Sequence, residues 1–377
     1  MAVTTIQSNN KLVKYTQEIA REFVRENLFS PYMGEDITSI IRRRMELKNG
    51  GEQMNIPLVS RLTGAGVSTG TLVGNEEQID NYGMRIWLEW ARHAVVTNKA
   101  ESQKDSADIF GEAKPLLSDW IKELNRDEII AALMALPSES QPSAGVRVNG
   151  IQYDLATAAQ RNTWNSDNSD RVLYGAAVSN YNATHATALA NCDTTNDTLT
   201  YQNLATLKRV AMGASPKIRP FKTKNGYEYY VAFAGLNTFR DLKTSLATIN
   251  KDARPREQDG VDKNPLFQDG DQIYDGVIVR QVPEISSFVT NNWTTLKTAG
   301  ASSARVEPVF LCGQQALAMA IGQMPKPTFR KEDDYGFITG TGIETAYGIG
   351  KMFKKPSSGT KLVQWGVATG FFATTTD

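Results

Sequence analysis

Two segments of the chain alternate apolar and polar residues in the way that half-buried strands do. The first is QMNIPLVSRL, and the second, after a glycine-rich stretch, is YGMRIWLEW. Residues 52–97 are therefore predicted to form two strands joined by a loop of about twenty residues, far longer than a usual hairpin turn. Pro57 lacks an N–H donor and favours an edge strand. The apolar positions that share a face are Met54, Ile56, Leu58 and Leu62 in the first segment and Met84, Ile86, Leu88 and Trp90 in the second.

Helical spacing of apolar residues marks two other regions. Residues 11–28 predict one amphipathic N-terminal helix. Residues 105–136 predict a long helix that Pro115 starts or kinks, followed by a second helix capped by Asp127. The apolar positions on these faces are Leu12, Tyr15, Ile19 and Phe23, then Leu117, Trp120, Ile121 and Leu124, then Ile129, Ile130, Leu133 and Leu136.

The remaining segments mix helices and strands without regular βαβ alternation, so the fold class is α+β. Residues 146–200 are polar and turn-rich and are predicted to form long surface loops. VFLCGQQALAMAIGQ is interpreted as a strand followed by a helix, and the C-terminus as a hairpin closed by SSGT. Further predictions are a helix at 198–212, a strand at 226–235, a helix at 236–247 and a strand pair at 271–285.

Composition excludes several classes of protein. The 41 Lys and Arg residues balance the 41 Asp and Glu residues, so no overall field attracts nucleic acid or an acidic membrane. No signal peptide or membrane-spanning run is visible, and two cysteines are too few for a disulfide framework. The chain is therefore expected to be made in the cytoplasm.

The glycine-rich stretch suggests a phosphate-binding loop, but its spacing argues against one. Gly64, Gly66 and Gly70 are followed by Thr71 and Leu72, without the lysine of a P-loop. The dinucleotide fingerprint fails by one position, and the segment leads into a strand instead of a helix N-terminus. The glycines are therefore interpreted as positions where the backbone bends.

A local basic patch leaves two interpretations open. Arg42, Arg43 and Arg44, with Lys48 nearby, form the densest cluster of positive charge. They are either a solvated helix face or a contact with an acidic partner or packaged nucleic acid.

Catalytic and metal-binding candidates are weak. His93 and His185 have no partner at catalytic or ligand spacing, so both are interpreted as structural. Glu332, Asp333 and Asp334 are interpreted as a solvated acidic turn, and Cys312 as a small core residue. We expect no enzyme activity, no metal and no cofactor.

Several motifs in a shared order resemble the major capsid proteins of tailed bacteriophages with the HK97-like fold. The similarity is to the family named after the N4 phage major capsid protein and extends from about residue 50 to the C-terminus. The segments that carry it are MNIPLVSRLTGAGV, LVGNEEQI, ARHAV, RVLYG, KIRPF, GYEYYVAF, NPLFQDGDQIYDGVIV, VFLCGQQALAMAIG, EDDYG and GIGKMFKK.

The resemblance implies an HK97-like capsid fold of four parts. These are an N-terminal arm (1–45), an extended hairpin loop (46–100), a peripheral domain with the spine helix (101–145 and about 331–377) and an axial domain (146–330). It also implies that the hairpin contacts neighbouring subunits, and the apolar hairpin residues would need such cover. The residues expected there are Leu58, Gly64, Gly66, Gly70, Ile86, Trp87 and Trp90, while Arg42, Arg43, Arg44 and Lys48 would face a neighbour or DNA.

The implied function is an icosahedral shell around double-stranded DNA, assembled in the host cytoplasm and found in the virion capsid. The expected partners are further copies of the chain in hexameric and pentameric capsomers, a portal, packaged DNA and decoration proteins, without a membrane. A separate scaffolding protein is expected because no long coiled N-terminal extension is visible. The alternatives are a bacterial nanocompartment shell of encapsulin type, distinguished by enzyme cargo, and a soluble α+β enzyme, distinguished by turnover.

Overall fold

The computed structural model describes most of the chain between residues 22 and 375. The described residues are 22, 24–25, 27–104, 109–222, 226, 228–252, 271–330, 335–357 and 359–375. The predicted helix at 11–28 lies largely outside them, and the acidic turn at Glu332, Asp333 and Asp334 lies outside them entirely.

The helices and strands are mixed along the chain, as the α+β class predicts. The helices are α1 (Lys99–Lys104), α2 (Ala113–Met134), α3 (Ala158–Asp167), α4 (His185–Ala190), α5 (Tyr201–Gly213), α6 (Leu236–Asp252) and α7 (Pro283–Asn291). The strands are β1 (Met33–Gly34), β2 (Ile41–Arg44), β3 (Gln53–Val59), β4 (Asn81–Trp87), β5 (Glu89–Asn98), β6 (Val148–Asn149), β7 (Val172–Tyr174), β8 (Phe221–Lys222), β9 (Glu228–Ala234), β10 (Asp271–Tyr274), β11 (Val277–Gln281), β12 (Val306–Cys312), β13 (Leu317–Phe329), β14 (Ile338–Lys351), β15 (Phe353–Lys354), β16 (Val363–Gln364) and β17 (Val367–Ala373).

Two larger sheets organise the described part of the chain. One has the order β1-β2-β13-β14-β5, with β6 beside β14, and the other has the order β10-β11-β9-β12-β17-β7, with β8 beside β9. The largest apolar cluster joins α2 to both sheets through residues such as Ile129, Leu133, Phe310 and Ile349. β3 pairs with β4, and β15 pairs with β16, as separate two-stranded ribbons.

The sheets divide the chain differently from the predicted domain ranges. β13 lies in the predicted axial range, but it pairs with β14 in the first sheet. β17 lies in the predicted peripheral range, but it pairs with β12 and β7 in the second sheet. β5 lies in the predicted hairpin range, but it pairs along its length with β14. Pairing between distant segments determines sheet membership, and local sequence patterns do not report it.

The long helix is one element of 22 residues, not two. Asp127 lies inside it and accepts a hydrogen bond from the Arg126 side chain at 2.9 Å. A helix-capping residue starts a new helix only where the preceding residues leave the helix, and IKELNRDEII contains no glycine or proline that would end it. Pro115 falls in the first turn, where the missing N–H costs little.

Three other predictions were wrong or only partly right. Residues 146–200 contain α3, β7 and α4 instead of long surface loops. The run LAMAI belongs to β13, not to a helix, because it is buried between β2 and β14, and a continuous apolar run does not distinguish the two structures. The predicted C-terminal hairpin is limited to the short β15–β16 pair.

A buried polar network explains why the segment 146–200 has no clear apolar period. His185 is buried at the start of α4 and contacts the hydroxyls of Tyr153 at 2.9 Å and Tyr174 at 2.7 Å. The Tyr174 hydroxyl also lies 2.8 Å from the Asn165 amide oxygen. Burial lowers the pKa of His185 to about 3, so the ring is neutral at pH 7. The polar side chains of this network are therefore core residues that hydrogen-bond to one another. The interpretation of His185 as a structural residue is confirmed.

Candidate functional site

The predicted hairpin is present as the ribbon of β3 and β4. Burial alternates along β3, with Met54, Ile56 and Leu58 on the inner face. Pro57 lies opposite Gly83 in the antiparallel register, and in the described part of the chain β3 pairs only with β4. The alternation in the sequence therefore predicted β3, β4 and their inner face correctly, but the second predicted strand is divided at Leu88 into β4 and β5. Leu62 and Trp90, which the alternation predicts on the same face, lie beyond the ribbon strands and are exposed.

The inner face of this ribbon is covered by the same chain. Leu58, Met84 and Ile86 are buried, and they pack with residues of β13 and β15. Leu58 and Ile86 are only 4% and 0% exposed, so their side chains pack inside the subunit, and a contact of these two residues with a neighbouring subunit stays a prediction. The residues of the body that cover the ribbon are Ala318, Ala320, Met352 and Phe353.

The loop between the two strands, residues 60–80, is exposed almost throughout. Gly66 and Gly70 have φ values of +74° and +113°, a region that side chains with a Cβ disfavour. Gly64 has no positive φ, but a Cβ there would meet the Glu77 carboxylate at 2.8 Å. The glycines thus serve bending and close approach, as predicted. The large apolar side chains exposed at and within this loop are Val59, Leu62, Val67, Leu72, Val73 and Ile79.

Glu77 holds the two arms of the loop together. Its carboxylate accepts hydrogen bonds from the backbone N–H groups of Thr63 and Gly64, both at 2.7 Å, and from the Thr63 hydroxyl at 3.0 Å. The Thr63 and Gly64 N–H groups lower the pKa of Glu77 below its ordinary value. The loop therefore has an internal shape although it is exposed.

Replacing Glu77 by glutamine is expected to loosen the loop without unfolding the protein. The amide provides one oxygen where the carboxylate provides two, and it loses the charge that strengthens these bonds. Hydrogen exchange of the peptide that contains Thr63 and Gly64 should become faster by roughly threefold to tenfold. Wild-type protection should persist at neutral pH and decrease as the pH falls through the lowered pKa. Glu76→Gln is the matched control, since Glu76 bonds the Gly74 N–H instead; equal effects of both changes would contradict the assignment.

The two tryptophans near the end of the ribbon differ in exposure. Trp87 is partly buried, and its backbone pairs with the Asn149 side chain at 2.9 and 3.1 Å. Trp90 lies on β5 and keeps 49% of its surface exposed. β5 is the edge of its sheet in the described part of the chain. Trp90 therefore stays available for a partner, whereas Trp87 contributes mainly to the junction between ribbon and body.

The basic residues lie on a strand, so the prediction of a helix face is wrong. Arg42, Arg43 and Arg44 belong to β2, which pairs with β13 in parallel. Adjacent side chains on a strand point to opposite faces, so Arg43 faces away from the other two. Arg43 lines a cavity of about 140 Å³ between α2 and the sheet, and Arg44 pairs with Glu46 at 2.9 Å. Burial lowers the pKa of Arg42, with Arg44 adding repulsion. The side chain of Lys48, the fourth residue of the predicted basic patch, lies outside the described part of the structure.

The chemical candidates do not converge on an active site in the described ranges. His93 is exposed on β5 and its ring lies 4.9 Å from that of Trp120, while Cys312 is fully buried in β12. Among the described residues, no group of His, Cys, Asp or Glu is arranged to hold a metal ion. No helix in the same ranges is long and apolar enough to span a membrane.

Sequence interpretation missed one group of residues at the base of the loop. Lys354 is a buried lysine that contacts Ser60 and Asp80, and Ser357 bonds to the same aspartate. The sequence Lys354-Lys355-Pro356 did not indicate a buried lysine, because a lysine in such a turn is usually solvated. Only the distance in space between residues 80 and 354 reveals the group.

The sequence is similar to known proteins along almost its whole length. It matches the family described as phage capsid protein over residues 3–368. A solved structure, the capsid asymmetric unit of cyanophage Pam1, is similar at 35% identity with a TM-score of 0.86, covering 100% of both chains. The capsid of Ralstonia phage GP4 is similar at 19% identity and a TM-score of 0.68, covering 100% and 99%. The head structure of Helicobacter pylori bacteriophage KHP40 is similar at 14% identity and a TM-score of 0.64, covering 98% and 96%. The last two likenesses concern the fold alone. No curated protein is significantly similar in sequence.

Proposed function

Since this chain belongs to the phage capsid protein family, we propose that its projecting loop is the surface through which copies of the chain lock together in the shell. The chain is a major capsid protein, and its α+β fold matches phage capsids and is consistent with the HK97-like fold. Its relatives are structural proteins, and the nanocompartment alternative is not favoured.

The observation that carries the proposal is the loop at residues 60–80. Leu72 and Val73 keep 67% and 81% of their surfaces exposed, and further apolar side chains accompany them. A group of exposed apolar residues on a projecting loop marks a surface that a partner covers. In a shell the same contact repeats many times, so a modest energy per contact stabilises the whole assembly.

The two large sheets support the assignment of separate peripheral and axial domains within the subunit. We assign the peripheral role to α2 with the sheet of β1, β2, β13, β14, β5 and β6. The axial role, packing around the capsomer axes, belongs to the other large sheet and its helices α3 to α7. The extended hairpin comprises β3, the loop and β4, and the N-terminal arm comprises the residues before β1.

The partners of the shell are inferred from the family. They are neighbouring copies in hexameric and pentameric capsomers, a separate scaffolding protein, a portal, decoration proteins and double-stranded DNA on the inner face. Arg42 and Arg44 share one face of β2, so these two are the residues assigned to a neighbour or to DNA. The motif order supports placement in the branch named after the N4 phage protein, with assembly of the icosahedral shell in the host cytoplasm.

Negative-stain electron microscopy of the purified protein tests this function. The chain would be expressed alone and with the products of its neighbouring genes. Shells, tubes or ring-shaped capsomers are expected, because the exposed loop needs cover. A uniform small oligomer with no larger assembly in either preparation would contradict the proposal. Nuclease-protected DNA inside shells from infected cells, and its absence from shells of the chain expressed alone, would separate packaging from assembly.

A further inference from the structure

The two ends of the projecting loop meet where it leaves the ribbon of β3 and β4. The backbone N–H of Ser60 donates to the Asp80 carbonyl at 2.9 Å, and the Ser60 hydroxyl donates to the Asp80 carboxylate at 3.0 Å. The loop therefore starts and ends at one point, and whatever holds this point determines the direction of the loop.

A lysine from a distant part of the chain holds this point. The ammonium of Lys354 contacts the Ser60 hydroxyl and the Asp80 carboxylate, and it lies 3.3 Å from the Asp80 carbonyl. The Lys354 side chain is only 3% exposed, so water does not compete strongly for it. The pair thus differs from an ordinary surface ion pair, which contributes little.

The second oxygen of the Asp80 carboxylate is also engaged by the body. Ser357 donates to it through its backbone N–H at 3.2 Å and its hydroxyl at 2.8 Å. The bonds from Lys354 and Ser357 hold the pKa of Asp80 far below its ordinary value. We call Ser60, Asp80, Lys354 and Ser357 the base clamp.

Beyond the clamp, the described loop has no other polar attachment to the body. Apart from a bond that the Asn81 side chain of β4 donates to the Ile79 carbonyl, the hydrogen bonds of residues 61–79 are internal to the loop, such as those that Thr63 and Gly64 donate to Glu77. A cleft of about 350 Å³ separates Arg61 and Thr63 from the turn at Lys217 and Arg219. The loop therefore has space to swing beside its base, and the clamp is what opposes this movement.

We propose that Lys354 and Asp80 are positioning residues that set the angle at which the loop projects toward a neighbouring copy. The inference rests on the proposed function, because the angle matters only if the loop meets a partner. The apolar ribbon below the clamp fixes β3 and β4, and the clamp extends that order by one step into the exposed loop. A loop that points in many directions would lose orientational entropy on each contact, so a preset angle favours assembly.

Distances between spin labels on the unassembled subunit test the clamp directly. Labels would be placed at Ser68→Cys in the loop and Ser140→Cys on the body, both at exposed positions. The native Cys192 and Cys312 are buried and should remain unlabelled. A narrow distance distribution is expected in the parent protein, and at least a twofold broader one in Lys354→Met and in Asp80→Asn.

Three further variants separate positioning from general stability. Lys355→Met is the matched control, since Lys355 pairs with Glu139 at 2.8 Å and not with the loop ends, and it should keep the narrow distribution. Lys354→Arg should restore most of the narrow distribution, because a guanidinium can also bridge the oxygens. Ser357→Ala removes one bond and should give an intermediate width, which keeps the test usable if Lys354→Met folds poorly.

The outcomes distinguish this inference from the proposed function. Unchanged widths in folded Lys354→Met and Asp80→Asn would overturn the clamp, even if shells form normally. Broader distributions together with irregular or fewer shells would support it. Broader distributions in the variants, together with a parent protein that itself never assembles, would support the clamp while contradicting the proposed function.

Discussion

Replacing Leu72 and Val73 by serine should give a folded subunit that no longer forms shells at ordinary concentrations. Both side chains are largely exposed in the subunit, so the free energy of unfolding should change by less than about 0.5 kcal/mol. In the assembled shell both would be buried, and burying such side chains contributes about 1.5–3 kcal/mol each. A loss of about 3 kcal/mol per contact raises the concentration needed for assembly by roughly 100-fold.

Light scattering against protein concentration, with electron microscopy of the products, measures this effect. Ser68→Asn with Thr69→Asn is the matched control, because it exchanges polar residues for polar residues in the same exposed loop. The control should assemble near the wild-type concentration. Normal assembly of the Leu72→Ser, Val73→Ser protein would show that the apolar loop is not the locking surface.

Replacing Lys351 by methionine should stabilise the subunit by up to ~5 kcal/mol at pH 7. Lys351 is the last residue of β14, its side chain is buried, and its ammonium nitrogen has no hydrogen-bond partner in the described part of the chain. The nitrogen lies 5.8 Å from the centre of the Trp164 ring. Burial lowers its pKa from 10.5 to about 7. Each pH unit of such a displacement corresponds to about 1.4 kcal/mol, so the buried lysine carries a large penalty.

The pH dependence of the free energy of unfolding shows in which direction the penalty of the buried Lys351 changes. Below pH 7 both the folded and the unfolded chain hold the proton, and the full penalty is present. Between about 7 and 10.5 the unfolded chain holds the proton and the folded chain does not, so this penalty shrinks as the pH rises. Lys351→Met removes the penalty, and the difference between the two proteins cancels the contribution of other titrating groups.

Chemical denaturation of the unassembled subunit at several pH values measures that difference. Lys326→Met is the control, since Lys326 is exposed on the neighbouring strand β13 and should change stability little. The stabilisation by Lys351→Met should be large at pH 7 and should vanish near pH 10.5. A destabilised variant, or a difference that does not vary with pH, would contradict a neutral buried lysine.

Local patterns predicted the elements that depend on neighbours in sequence. The alternation around Ile56 and Ile86 placed both strands of the ribbon, and the apolar period around Leu117 placed most of α2. The glycines at positions 66 and 70 indicated a bending loop, and the backbone angles agree. Each of these features arises from one period of the backbone or from one residue's allowed conformations, and a single segment contains that information.

The same reasoning failed where a polar or apolar run had more than one use. The run LAMAI is compatible with a buried helix and with a central strand, and only pairing with β2 and β14 decides between them. The polar segment around His185 looked like loops, because its buried side chains satisfy one another instead of forming an apolar face.

By itself, the sequence determined the α+β class, the hairpin with its glycine-rich loop and, through the order of its motifs, the capsid family. Only the tertiary structure decided which surfaces remain for a partner. Ile86 and Leu58 are covered by residues from β13 and β15, so the exposed apolar surface lies in the loop and not in the ribbon. Lys354 reaches Asp80 across more than 270 positions in the chain. Such contacts depend on how distant segments pack around a common core, and no local period records that packing.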